Sequence, residues 1–374
     1  MKKIVIVVLE EILYYPPTMS LIHVLLHNGH SVTLISRKCE ELNEDILLHD
    51  NFSYINLNAY TNYSNVFTRL RTRVDEVREL KEVTAAAMKD ADILWTCSIN
   101  TVRDLGKMVL NYKNVLQMME LYRHGYFSKH IKFPLEEIAR KSWKNVVPEE
   151  NRAYIQQAWW QLEKKPYVLP NKPYSLDVGE LPDEVNRQLE ILKNEKRKVI
   201  LYLGGIFGDR NFESYARAIQ KEKDKYVLYI VGKAYDEAAR QRLNRLIEEY
   251  GVVYLGYFKA PKHLAFVKNA YIGLLPYRPF YGDRQSELNA VYCAPNKIFE
   301  YAGFGIPMIG SDVMGLKNPF EKWNMGVTCN DSNEDEFYNA IKVIDEHYED
   351  MSKNCVDYYN SVNLNEIVEN IIAD

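Results

Sequence analysis

Seven residues near the N-terminus, Lys3 to Leu9 (KIVIVVL), form an apolar, largely β-branched run with no polar residue after the first. A run of that kind suits a strand covered on both faces, and such strands belong to parallel sheets with helices above and below. The chain then repeats the requirement. A helical segment from about Thr18 to His27 ends at Asn28-Gly29, and Val32 to Ser36 starts a second strand, which completes a βαβ unit. FSYINL (Phe52–Leu57), ADILWTC (Ala91–Cys97) and NVLQMMEL (Asn114–Leu121) read as further strands, and Phe127 to Trp160 reads as helical. This is the pattern of a doubly wound α/β sheet.

KKPYVLPNKPYSLDVGELPDE (Lys164–Glu184) carries four prolines in twenty-one residues and reads as a linker. Beyond it the pattern begins again: RKVILYLGG, a helix from about Asn211, YVLYIVG, a charged helix from Asp236 to Tyr250, GVVYLGYF and AYIGLLPY. At 374 residues the chain exceeds what one core normally serves. The expected organisation is a first domain over 1–165, a linker over 166–197 and a second domain over 198–354. NLNEIVENIIAD is amphipathic and must pack back onto the body of the protein.

Hydrophobic residues make up 47% and charged residues 26%, which argues against long disordered segments. A formal net charge of -4 gives no global signal for nucleic acid, so no nucleic-acid partner is expected. Cys39, Cys97, Cys293, Cys329 and Cys355 are odd in number, widely spaced and without a C-x-x-C pair, which fits a reducing compartment. Glu10 and Glu11 interrupt the first apolar run, and no stretch reaches the roughly 18 apolar residues of a membrane span. The expected location is cytoplasmic.

Two segments carry chemistry. In LYLGGIFGDRNFES a buried strand runs into Gly204-Gly205, then Asp209-Arg210-Asn211 at the start of a helix. Glycines let a ligand approach the backbone, a helix N-terminus favours an anion, and an arginine binds phosphate oxygens in pairs. Neither G-x-x-x-x-G-K-[ST] nor G-x-G-x-x-G is present. In CAPNKIFEYAGFGIPMIGSD (Cys293–Asp312), Pro295 suits a helix start, Lys297 lies in the first turn and Glu300 follows at i+3. A lysine there can neutralise a diphosphate, and an acceptor-only carboxylate one turn deeper can take hydrogen bonds from vicinal ribose hydroxyls. The competing reading is a Lys297–Glu300 surface ion pair. Gly303 and Gly305 allow close packing and a helix exit.

APNKIFEYAGFGIPMIGSD resembles the donor-site signature of GT-B glycosyltransferases of the glycosyltransferase family 4 type, and YLGGIFGDRNFE resembles their phosphate loop. The likeness covers most of the second half and, more loosely, the first. It implies GT-B architecture, two doubly wound Rossmann-like domains facing a central cleft, with a C-terminal helix over about 355–374 crossing back to the first domain. It also implies transfer of a sugar from a nucleotide-diphospho-sugar, UDP-linked in this reading, with retention and without a bound metal or other cofactor. Glu300 matches the glutamate that binds ribose; Arg210 and Lys297 match the cations facing the diphosphate. Gly204, Gly205 and Asn296 belong to the same matched segments, and Tyr257 and Phe258 fall where relatives contact the base.

Two departures stand out. The family's E-x7-E pattern puts an acid at position 292, where this chain has Tyr292, so that contact would come from Glu287, Asn289 or backbone amides. Relatives place a histidine in a HEL sequence facing the donor sugar; here MELYRHG puts Met119 at that position, keeps Glu120 and adds His124, and either of the last two could face the sugar. A GT-B-fold UDP-sugar epimerase and a noncatalytic GT-B partner subunit stay open as alternatives.

Three other patterns have plainer explanations. Asp90-Ala91-Asp92 resembles a metal motif but ends a helix, and His23, His27 and His30 cluster at a helix end without an H-E-x-x-H motif. RLRTRVDEVRELKE (Arg69–Glu82) reads as a solvated helix face. SKHIKFPLEEIARKSWKN (Ser128–Asn145) alternates basic with aromatic or aliphatic residues, which suits either a peripheral contact with an anionic membrane or a plain acceptor-domain surface. The acceptor is a glycan, a lipid-linked or a protein-linked group; a homo-oligomer or a partner glycosyltransferase is left open.

Overall fold

The computed structural model describes residues 1–58, 66–207, 212–279 and 285–373, the side chains of 66–70 excepted. The chain divides into two compact units. The first holds Met1–Pro170, Gln285 with Ser286, and the C-terminal stretch from Asn363; the second holds the rest of the described chain between Asn171 and Val362.

The first unit is built on a seven-stranded sheet. Its strands are β1 (Lys3–Glu11), β2 (Ser31–Arg37), β3 (Phe52–Asn56), β4 (Ile93–Cys97), β5 (Asn114–Gln117), β6 (Lys144–Val147) and β7 (Tyr167–Val168), in the order β3-β2-β1-β4-β5-β6-β7. Every pairing is parallel. The central strand is the N-terminal run, and Ile4 to Val8 are almost fully buried, as a strand with helices on both faces requires. The order reverses between β1 and β4, whose carboxyl ends carry Glu10 and Ser98. Ser98 Oγ donates to Glu10 Oε2 at 3.0 Å and Asn100 Nδ2 donates to Glu10 Oε1 at 2.6 Å.

Two stretches depart from the expected pattern. NVLQMMEL is a strand only as far as Gln117, because β6 pairs along Val115 to Gln117 and ends at Val147. The stretch Phe127–Trp160 is not helical throughout: β6 interrupts it, between a helix at Leu135–Lys141 and another at Glu150–Trp160. Four residues, half of them only partly buried, are too short a run to show a period of two.

The closing helix, Leu364–Ile372, belongs to this first unit and packs on the helix Pro16–His27. Leu364, Val368, Ile371 and Ile372 are buried. Lys2 Nζ donates to the Ile372 carbonyl at 2.6 Å, and Glu369 Oε1 accepts from Asn28 Nδ2 at 2.8 Å and lies 2.8 Å from His30 Nε2. Of the histidines near the helix end, His30 thus has a structural partner, and His23 lies 3.6 Å from Asp45. Asp92 likewise caps an edge of the sheet by accepting the Lys3 amide at 2.7 Å.

The second unit has a six-stranded sheet: β8 (Lys198–Leu203), β9 (Tyr226–Val231), β10 (Val253–Gly256), β11 (Ile272–Leu275), β12 (Met308–Ser311) and β13 (Gly326–Cys329), ordered β10-β9-β8-β11-β12-β13 and parallel throughout. A helix at Asp183–Lys193 lies within the expected linker 166–197 and puts Val185, Leu189 and Leu192 into this unit's core. The helix Glu334–Ser361 covers the sheet with Phe337, Ala340, Ile341, Ile344 and Met351.

At the amino-terminal edge of this sheet Asp345 gathers four donors. Lys198 Nζ is at 2.9 Å, Tyr271 Oη at 2.7 Å, and Lys225 and Tyr226 reach its other oxygen. Burial opposes ionisation, but these four hydrogen bonds together hold the carboxyl well below the usual carboxylate range. A carboxyl held down in the folded state stabilises above its unfolded pKa and loses that contribution as pH falls below it. Asp345→Asn should therefore cost about 1–3 kcal/mol at pH 7, and the gap to wild type should close as pH drops below about 4. Urea unfolding at a series of pH values checks both the size and the direction.

Candidate functional site

The site grows from one tyrosine. In the helix Asn296–Gly303, Ile298, Phe299, Tyr301 and Ala302 are buried, so the helix presses its apolar side on the second sheet. The Tyr301 hydroxyl donates to the Leu201 carbonyl at 2.8 Å and accepts the Leu203 amide at 3.2 Å. A side chain at Gly273 would put its Cβ 2.5 Å from the Tyr301 ring, so only glycine lets the ring lie against β11. These contacts fix the helix against β8, and the residue following Leu203 is Gly204.

Gly204 has φ +125°, and a Cβ there would lie 2.8 Å from Cε and 2.9 Å from Nζ of Lys297. Glycine is thus required twice, for its backbone angle and for the lysine packed on it. Lys297 Nζ donates to Tyr277 Oη at 3.3 Å and stands 5.7 Å from the ring centroids of both Tyr202 and Tyr277. Among the described residues no carboxylate lies within ion-pair distance of it. The fold brings together a cation and the glycine turn at the carboxyl end of β8, which is where ligands of such sheets bind.

Glu300, one turn further on, is 5% exposed. It is not a surface partner of Lys297: its Oε1 lies 3.1 Å from Nε2 of His263. Burial works against its ionisation, but the charge and hydrogen bond of His263, with Lys297 adding, outweigh it and hold the carboxyl below its ordinary value. Glu300 is therefore an acceptor-only carboxylate, and its Oε2 takes no hydrogen bond from any described residue.

The other candidates are distributed as follows. Arg210, with Asp209 and Asn211, lies outside the described residues. Asn296 is the first residue of its helix, after Pro295 at the cap. Above Gly205 the rings of Phe207 and Tyr235 stack in parallel, 4.9 Å apart, and a Cβ at Gly205 would meet both. Tyr257 is 40% exposed and lies 5.9 Å from Lys233 Nζ. Phe258 turns the other way, stacks on Phe266 at 4.9 Å and packs against the core. The two neighbours, just past the end of β10, thus divide between surface and core.

In the first unit, Glu120 is half-buried beside Met119, whose carbonyl accepts from the buried Arg152 at 2.8 Å. His124 is 55% exposed, stacks on Trp159 at 5.7 Å and lies 3.9 Å from Glu136. Glu287 caps a short helix at Leu288–Val291, which also contains Asn289, and Tyr292 follows as its C-cap. Among the described residues no group of three or more His, Cys, Asp or Glu could hold a metal ion, and no helix is long and apolar enough to cross a membrane.

Residues 197–346, almost all of the second sheet with its helices, match the family of glycosyl transferases group 1. The match places a group 1 glycosyltransferase domain at residues 197–346, and the chain as a whole has the GT-B fold. Across the whole chain, sucrose-phosphate synthase from Thermosynechococcus elongatus aligns at TM-score 0.67 and 17% identity, covering 99% of this chain and 97% of that one. Anabaena HepE in complex with UDP and glucose aligns at 0.67 and 12%, covering 99% and 98%. A putative UDP-N-acetylglucosamine 2-epimerase from Listeria monocytogenes aligns at 0.61 and 11%, covering 100% and 95%. Identities this low establish the shared fold. No curated protein matches the chain by sequence.

His263, Tyr202 and Tyr277 were not anticipated as part of this site. His263 precedes Glu300 by 37 positions, so no local spacing links the two. Tyr301→Phe should cost about 1–3 kcal/mol by leaving the Leu203 amide and the Leu201 carbonyl without their partner, read as a lower urea midpoint at unchanged slope.

Proposed function

We propose that this glycosyltransferase takes its sugar from a nucleoside-diphosphate sugar, with UDP as the nucleotide, and passes it to a hydroxyl of a glycan, lipid-linked or protein-linked acceptor. The observation that carries the reading is the pairing of Lys297, packed on the Gly204 turn without a carboxylate partner among the described residues, with Glu300, an ionised carboxylate with one oxygen unengaged. A diphosphate suits the first and a ribose diol suits the second. HepE structures with UDP and with UDP-glucose, on the same fold, favour the uridine nucleotide.

In the proposed reaction the bond between the sugar's anomeric carbon and the diphosphate oxygen breaks, and its electron pair stays on that oxygen. Lys297, with Arg210, neutralises the growing negative charge, which is why the transfer is proposed to need no metal. The acceptor hydroxyl bonds to the anomeric carbon from the face the diphosphate leaves, giving retention, and its proton passes to the departing diphosphate. Asn296, Gly204 and Gly205 supply close backbone approach, and Tyr257 is the proposed contact for the base, with Phe258 supporting it from the core. Glu120 and His124 are proposed to act on the sugar, a carboxylate being suited to the developing oxocarbenium charge. The exposed Lys129, His130, Lys132, Arg140 and Lys141 favour a peripheral contact with an anionic surface.

Calorimetric titration with UDP, GDP and ADP tests the donor site. Wild type should bind UDP best, and Glu300→Ala should weaken it roughly 10–100-fold; no nucleotide binding by the wild type would end the reading. Lys297→Ala should lower turnover about 10²–10³-fold with little change in melting temperature, and an unchanged rate would remove the lysine from the mechanism.

A further inference from the structure

We propose that His263 is the positioning residue of Glu300: by holding one carboxylate oxygen it commits the other to the sugar of the nucleotide, and so sets the preference for ribose over 2′-deoxyribose. The inference rests on the reading of Glu300 as the ribose ligand and assigns a role to a residue outside the family signature.

The geometry is specific. A glutamate side chain has three rotatable bonds, and the only described group that bonds to the Glu300 carboxylate is Nε2 of His263, at 3.1 Å. In the singly protonated ring with its proton on Nε2, as in the doubly protonated ring, it is Nε2–H that donates to Glu300 Oε1. The other ring nitrogen, Nδ1, is buried without a hydrogen-bond partner among the described residues, so the ring's orientation is decided by Glu300 and not by its second nitrogen.

The histidine is also anchored from below. It sits in the short helix Lys262–Asn269, whose Leu264, Phe266 and Val267 are buried in the second unit's core. Lys262 Nζ, next to it, donates to the carbonyls of Val178 and Glu180, both at 2.6 Å. A residue held this firmly can orient a flexible neighbour at little further entropy cost. Two elements fixed independently, this short helix through its core residues and the helix Asn296–Gly303 through Tyr301, meet at the His263–Glu300 hydrogen bond.

A purely structural histidine would support all nucleotides alike, whereas a positioning histidine acts through the ribose hydroxyls, of which 2′-deoxy-UDP lacks one. The test is calorimetric titration of the full chain with UDP and with 2′-deoxy-UDP. The variants are wild type, Glu300→Ala, His263→Phe (planar volume kept, donor removed), His263→Ala in case the larger ring disturbs folding, and His263→Gln (amide donor restored). Wild type should favour UDP by roughly 10-fold or more, since the hydroxyl bonds to a charged group. His263→Phe or His263→Ala should bring that ratio towards one by weakening UDP more than 2′-deoxy-UDP, and His263→Gln should recover part of it. A ratio kept at the wild-type value in folded His263→Phe or His263→Ala, or an equal loss for both nucleotides, would overturn the role of His263. Absence of discrimination in the wild type, or its survival in Glu300→Ala, would overturn the ribose reading of Glu300 and the proposal with it.

Discussion

The hydroxyl of Tyr301, bridging the Leu201 carbonyl and the Leu203 amide, is the contact on which the site geometry depends. It fastens a helix to the central strand of the second sheet at the point where that strand ends, so side chains on the helix and backbone beyond the strand are registered together. Lys297 thereby meets Gly204, and Glu300 is carried below the surface, where it needs a partner to stay ionised. The small residues around it follow from the same constraint: Gly273 makes room for the tyrosine ring, and Gly303 makes room for Leu176 and Tyr359. The segment that reads as a signature is thus a packing solution and a charge arrangement at once.

Much of this was legible before folding because the relevant signals are local. A β-branched run such as Lys3–Leu9 can hardly be anything but a buried strand, and the lysine and glutamate at i and i+3 on a proline-started helix show in eight residues. What was missed depends on contacts between distant segments. β6 is four residues long and carries no alternation, so only its pairing with β5 and β7 defines it. The helix Asp183–Lys193 has apolar residues at i, i+4 and i+7, but the prolines around it mask that spacing. His263 acquires a role only when Lys262–Asn269 is laid beside Asn296–Gly303. Tyr257 and Phe258 are indistinguishable as types, and only the path of the folded chain beyond β10 separates the exposed ring from the core one.

The electrostatics of the second unit separate into two edges with different tasks. At the amino edge of the sheet, Asp345 is saturated by two lysines and two tyrosines, an arrangement that spends every lone pair on the fold. At the carboxyl edge, Lys297 has a phenol and two rings around it, and Glu300 has one oxygen unengaged by the described residues. Saturated charge stabilises a structure; charge left with open valences is what a ligand can complete.

The central claim is that this chain transfers a sugar from UDP. It is tested most directly by following a panel of UDP-sugars with the wild-type protein by phosphorus and proton NMR, first without and then with a glycan acceptor mixture. The account predicts release of UDP that depends on the sugar and accelerates with acceptor, together with a new glycosidic anomeric signal of the same configuration as in the donor. Conversion of the UDP-sugar to an epimer without UDP release, or no change in any donor, would contradict it.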